Sequence, residues 1–172
     1  MSDSKDLARR NFLKAATVAA AGGTVACSSS GSRYRVLTEE QAATVKAVCN
    51  QIVPPDDFPG AGDAGGADYI DRQLAGHYEW ARSAYDTGLA KLDDDCREQF
   101  QKPFVELTFE EQHGILKHRE DTPFFRMMIA HTMQGFYGDP RHGGNRDAIS
   151  WKMLGVESPP VRGREHYDLT ES

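Results

Sequence analysis

Along most of the body, apolar positions recur three to four residues apart, and strand-like alternation does not occur. Residues 37–53 open with Thr38 and Gln41 in capping-box spacing. They place Ala42, Val45, Val48, Cys49 and Ile52 on one face, which predicts an amphipathic helix ended by Pro54-Pro55. Residues 56–66 (DDFPGAGDAGG) have the composition of a loop. A second stripe, Tyr69, Ile70, Leu74, His77, Trp80 and Ala81, predicts a helix over 67–83. A third, Tyr85, Leu89, Leu92, Cys96 and Phe100, predicts one over 85–100. Thr108 with Glu111 opens a short helix through Ile115 and Leu116. Thr122-Pro123 supplies the N-cap and first-turn proline of a helix carrying Phe125, Met128, Ile129, Thr132 and Phe136. The expected fold is all-α: about five helices in one domain, 37–172, packed as an irregular helical layer and ending in a Gly-rich irregular C-terminal segment.

That last segment breaks the periodicity. Residues 135–147 (GFYGDPRHGGNRD) are too rich in glycine and turn formers for a helix, and Trp151 follows shortly after them. Glycines at this density let a backbone lie close against another surface, and Asn145 and Asp147 have side chains that bond the local main chain. Residues 159–172 carry little apolar content and read as a surface tail.

The other end breaks it differently. Ser4 to Lys14 reads SKDLARRNFLK, in which Arg9-Arg10 followed by Phe12-Leu13 matches a twin-arginine export signal, an address read by the twin-arginine translocase. A weakly hydrophobic stretch of Ala, Val, Thr and Gly follows and closes on small residues, so 1–26 reads as a signal peptide. Thr24-Val25-Ala26-Cys27 resembles a lipobox, which makes Cys27 the expected acylated residue. The Ser/Gly-rich start of 27–36 then serves as a flexible linker. The expected location is the periplasm, with the membrane reached only through that lipid or through a larger complex. The longest apolar run, 15–21, is far shorter than a membrane span.

Charge narrows the partners. The 172 residues carry 20 Lys and Arg against 26 Asp and Glu. Without the leader's Lys5, Arg9, Arg10, Lys14, Asp3 and Asp6, the body retains 16 against 24. A body this acidic, with no basic run, is a poor match to a phosphate backbone or an anionic lipid surface, so a protein partner is expected and nucleic acid is not.

Catalytic motifs are missing. His113 and His118 are five apart, off a common helix face and unlike the His-x-x-x-His of zinc sites. A stand-alone metal enzyme would have to recruit His131, His142 and Asp139 across the Gly-rich segment. The cysteines form no Cys-x-x-Cys, haem-attachment or iron–sulfur run. Cys49 and Cys96 sit on apolar helix faces, where a mutual disulfide, a bridge to a partner and buried free thiols all remain open. No P-loop, dinucleotide fingerprint or nucleophile elbow is present, so no self-sufficient active site, metal site or cofactor site is expected in this chain. A lipid-tethered binding protein unrelated to redox chemistry is the remaining alternative to a complex subunit.

Residues 132–155, with Phe136-Tyr137-Gly138-Asp139-Pro140, Gly143-Gly144-Asn145 and Trp151, resemble the signature of the gluconate 2-dehydrogenase subunit 3 family. The twin-arginine leader, the Leu-Thr-Glu-Glu-Gln opening, the Pro-Pro break and the 104–116 segment fall in the order that family shows. The resemblance implies a small non-catalytic subunit of a periplasmic dehydrogenase complex. In such a complex an FAD-bearing flavoprotein of the GMC type oxidises a sugar, polyol or sugar acid, and a multihaem cytochrome c subunit often takes the electrons. The flavoprotein typically lacks a signal of its own and travels on the small subunit's leader. On this reading Phe136, Tyr137, Gly138, Asp139, Pro140, His142, Gly143, Gly144, Asn145, Asp147 and Trp151 form the partner interface, with Trp151 as a buried anchor.

Overall fold

The computed structural model describes residues 32–156. Arg9, Arg10, Phe12, Leu13 and Cys27 lie outside the described residues. Six α-helices occur among the described residues: α1 Glu39–Ile52, α2 Gly66–Leu74, α3 Arg82–Phe100, α4 Phe109–Lys117, α5 Pro123–Tyr137 and α6 Ile149–Met153. Single 3-10 turns stand at Glu79–Ala81, Phe104–Glu106, Pro140–His142 and Arg146–Ala148. No strand occurs in this span, so the fold is all-α, as the periodicity predicts.

The starts follow the predicted caps. Thr38 and Gln41 exchange reciprocal bonds (3.1 and 3.0 Å), and Thr108 and Glu111 do the same (3.3 and 2.8 Å). Thr122 accepts the Phe125 N–H at 3.2 Å ahead of Pro123. Each such cap satisfies an otherwise orphaned donor and contributes about 1 kcal/mol.

α1 packs against α2, α3, α4 and α5 and forms the centre of the layer. Val45, Val48 and Cys49 of α1 meet Ile70 and Leu74 of α2, Tyr85, Leu92 and Cys96 of α3, and Met128 and Phe136 of α5 in one buried cluster. α3 and α5 cross closely: a Cβ on Gly88 would lie 2.4 Å from the Phe124 ring.

The structure differs from the sequence reading at four places. The helix predicted over 67–83 stops at Leu74. The chain turns at Ala75-Gly76, the Leu74 carbonyl accepts from Arg82 Nε at 2.7 Å, and His77 and Trp80 leave the core, with Trp80 71% exposed, while Ala81 stays buried. α5 runs through Gly135 to Tyr137, because the buried Phe136 continues its core face. A short sixth helix, α6, follows the Gly-rich stretch. The body also begins earlier than the linker reading over 27–36 implies. The backbone N–H groups of Arg35, Val36 and Leu37 are held by the Asp71 carboxylate at 2.8–3.0 Å.

Candidate functional site

The segment from Gly138 to Trp151 is built on one buried side chain. Asn145, fully buried, donates from Nδ2 to the Gly138 carbonyl at 2.8 Å and accepts the Ser150 N–H on Oδ1 at 2.9 Å, so it spans the whole loop. It takes left-handed backbone angles (φ 45°, ψ 45°), which asparagine tolerates better than most residues. Asp139 caps the first turn by accepting the Arg141 N–H at 3.0 Å. Gly143 (φ +103°) reverses the chain, and Gly144 then lies so near α5 that a Cβ there would be 2.2 Å from the Gly135 carbonyl oxygen. The Arg146 N–H donates to the Ala64 carbonyl at 2.8 Å, and Trp151 Nε1 donates to the Tyr137 carbonyl at 3.0 Å.

These contacts sort the predicted interface residues. Phe136, Gly144 and Asn145 are buried inside this chain and close its own fold, so they are not available to a partner. Trp151 is half-buried and ties α6 to the end of α5, which differs from an anchor projecting free of the domain. Tyr137, His142 and Asp147 are exposed, and Gly138, Asp139, Pro140 and Gly143 are partly so.

The loop's inner edge faces α2. Asp68 of α2 accepts from Arg33 (2.6 Å) and from Arg146 (2.9 Å), joining the entry segment to the loop. One turn further on, the Asp71 carboxylate is 3% exposed and filled by the backbone donors of residues 35–37. Arg72 reaches the Arg141 carbonyl at 3.4 Å. Between entry segment, α2 and loop lies an open polar cleft of about 430 Å³. The sequence reading singled out none of Arg33, Arg35, Asp68, Asp71, Arg72 and Arg146. The available signal was the pair Asp68 and Asp71, polar at positions three apart on a helix face otherwise committed to the core.

The other candidates are internal. His131 is buried, with its Nδ1 2.8 Å from the Tyr85 hydroxyl and its ring stacked on Tyr78 at 4.3 Å. Burial lowers its pKa. Gln134 Oε1 accepts from the hydroxyls of Tyr78 (2.9 Å) and Tyr69 (3.3 Å) beside it. His142 stands on the surface, its Nε2 accepting from Arg141 Nε at 3.3 Å. Among the described residues no three His, Cys, Asp or Glu side chains come together as a metal-holding group, so His131, His142 and Asp139 do not form one.

Cys49 and Cys96 are buried free thiols rather than a disulfide. The Cys49 Sγ lies 3.3 Å from Thr132 Oγ1. Burial pushes Cys49 up to about 12, with the Thr132 hydroxyl opposing. Burial, reinforced by Asp93 and Asp95, pushes Cys96 to about 11. Neither is a thiolate near neutral pH, so neither is a nucleophile.

A family model described as gluconate 2-dehydrogenase subunit 3 matches residues 39–158, more than half of the chain. No curated protein and no solved structure matches it. The match runs from the first residue of α1 past α6 and so takes in the whole Asn145-centred loop.

Proposed function

Because the chain belongs to the gluconate 2-dehydrogenase subunit 3 family, we propose that it is the small, non-catalytic subunit of an exported FAD-dependent dehydrogenase complex, which stabilises a flavoprotein partner and carries it through the twin-arginine translocase. The family match over 39–158 carries this reading. Three features support it. Arg9-Arg10 and Phe12-Leu13 spell an address for folded cargo. Within the described core the Cys49 thiol and the His131 ring are each bonded to a neighbouring hydroxyl, of Thr132 and of Tyr85. The loop around Asn145 is locked from inside, so its outward edge at Tyr137, Pro140, His142, Asp147 and Trp151 is a rigid surface for a partner. The FAD belongs to that partner, and haem, where a cytochrome joins the complex, to a third subunit. Cys27, once acylated, tethers the assembly to the membrane from the periplasmic side.

Co-expression with a GMC-type flavoprotein subunit from the same genome tests the reading. A yellow complex containing both chains is expected in the periplasm, and replacing Arg9 and Arg10 with Lys should retain both in the cytoplasm. A chain that reaches the periplasm alone and purifies without flavin would overturn it.

A further inference from the structure

We propose that the cleft between residues 33–37, α2 and the Gly-rich loop is a carboxylate-binding site that seats an acidic segment of the companion subunit. This inference rests on the complex-subunit reading and names the chemistry of one of its contacts.

Four of the nine arginines between residues 32 and 156, Arg33, Arg35, Arg72 and Arg146, line this one cleft, and no lysine does. The same span carries 14 basic against 20 acidic residues, so the concentration runs against the charge of the body. The lining acids leave part of that charge uncompensated. Of the three acids in the lining, Asp71 spends its oxygens on the backbone donors of residues 35–37, Asp68 is shared between Arg33 and Arg146, and Asp147 pairs with none of the four arginines among the described residues, which leaves four arginines against three carboxylates. Among the described residues the Arg35 guanidinium has no partner, and Arg72 has only the Arg141 carbonyl at 3.4 Å.

The backbone beneath these groups is already ordered. Arg35 is fixed through its own N–H on Asp71, Arg72 sits on α2, and the Arg146 N–H is bonded to Ala64. The Arg33 and Arg146 guanidiniums are further held by Asp68, and the planar forks of all four match a carboxylate bidentately. The cleft's volume, about 430 Å³, falls in the range of sites that hold a ligand or several side chains, more than one inorganic anion fills. Pro140 and Asp147 of the loop's outward edge also line the cleft, so a segment lying here would touch that edge as well.

The test compares Arg35→Glu/Arg72→Glu with the wild type, each co-expressed with the flavoprotein subunit used to test the complex. Neither side chain makes an ion pair among the described residues, so the fold should persist; Arg35→Gln/Arg72→Gln serves if the reversal does not fold. The expected result is at least a tenfold loss of affinity at low salt. The wild-type complex should also weaken with added salt while the variant's affinity barely changes. A variant complex with unchanged affinity and salt response would overturn the cleft assignment and leave the subunit reading standing. Failure of the wild type to form any complex would overturn both. Calorimetric titration with inorganic phosphate separates the remaining source. Saturable phosphate binding that the double variant loses, with complex formation intact, would make this a small-anion site and overturn the partner assignment.

Discussion

The Tyr85 hydroxyl lies 2.8 Å from Nδ1 of His131 inside the helical layer, with the Tyr78 ring stacked on the imidazole's face. Burial holds the His131 pKa below its ordinary value. As pH falls through about 6.5, the unfolded chain takes up a proton that the folded chain refuses, so His131's contribution to stability is complete above that pH and is lost below it. Melting temperature should therefore fall between pH 7 and pH 5 more steeply in the wild type than in His131→Asn, which cannot titrate. Parallel pH profiles would show that His131 is not a buried neutral imidazole.

The two buried thiols act at the other end of the scale. With folded values of about 12 for Cys49 and about 11 for Cys96, against an ordinary value near 9, the unfolded chain loses its protons first as pH rises past 9. Stability should drop above that pH, and less in Cys49→Ser. At neutral pH neither thiol should react with a disulfide reagent until denaturant is added. Rapid labelling of either in the native state would contradict their burial.

Asn145 is the loop's buried side-chain support. Asn145→Ala removes both side-chain bonds and leaves the Gly138 carbonyl and Ser150 N–H without them. We expect a loss of about 2–3 kcal/mol in chemical denaturation. Gly144→Ala drives a Cβ to within 2.2 Å of the Gly135 carbonyl oxygen, so α5 and the loop must separate. Its expected cost is about 1–3 kcal/mol. Wild-type stability in both variants would mean that the loop does not pack on α5.

Trp151→Ala separates the two roles of this residue. It removes one hydrogen bond to Tyr137 and a half-buried ring at the edge of the domain, so the isolated chain should remain folded, at a cost of about 1 kcal/mol. Binding of the flavoprotein should weaken by tenfold or more if the ring's exposed part meets the partner. Unfolding of the isolated variant would assign Trp151 to the domain's own closure alone.

The leader's role is checked separately from the body. Arg9→Lys/Arg10→Lys should abolish export without altering the melting curve of the cytoplasmic protein. Cys27→Ser should release the exported chain from the membrane fraction while leaving it periplasmic. Continued export of the twin-lysine variant would remove the twin-arginine reading.

Local rules acting over three or four residues determined much of this protein from its sequence. The Thr38, Thr108 and Thr122 caps, the proline break after α1 and the apolar stripes of α1, α3 and α5 each depend on near neighbours, so they were legible before folding. The family signature was legible too, because its glycines and Asn145 sit close together in the chain. The division of labour within that signature was decided only by the tertiary structure. Phe136 turned inward on the core face of α5, Gly144 because the Gly135 carbonyl stands opposite it, and Asn145 because Gly138 and Ser150 take up its side chain, and nothing in the local pattern distinguishes them from their exposed neighbours. The break of α2 at Leu74 was equally hidden, since His77 and Trp80 keep the helical spacing while the packing surface beneath them ends. Least visible was the arginine cleft. The bonds that join its walls to α2 span 35 to 78 residues, and their charges meet only because Asp68 and Asp71 hold the entry segment and the loop on the same face of α2.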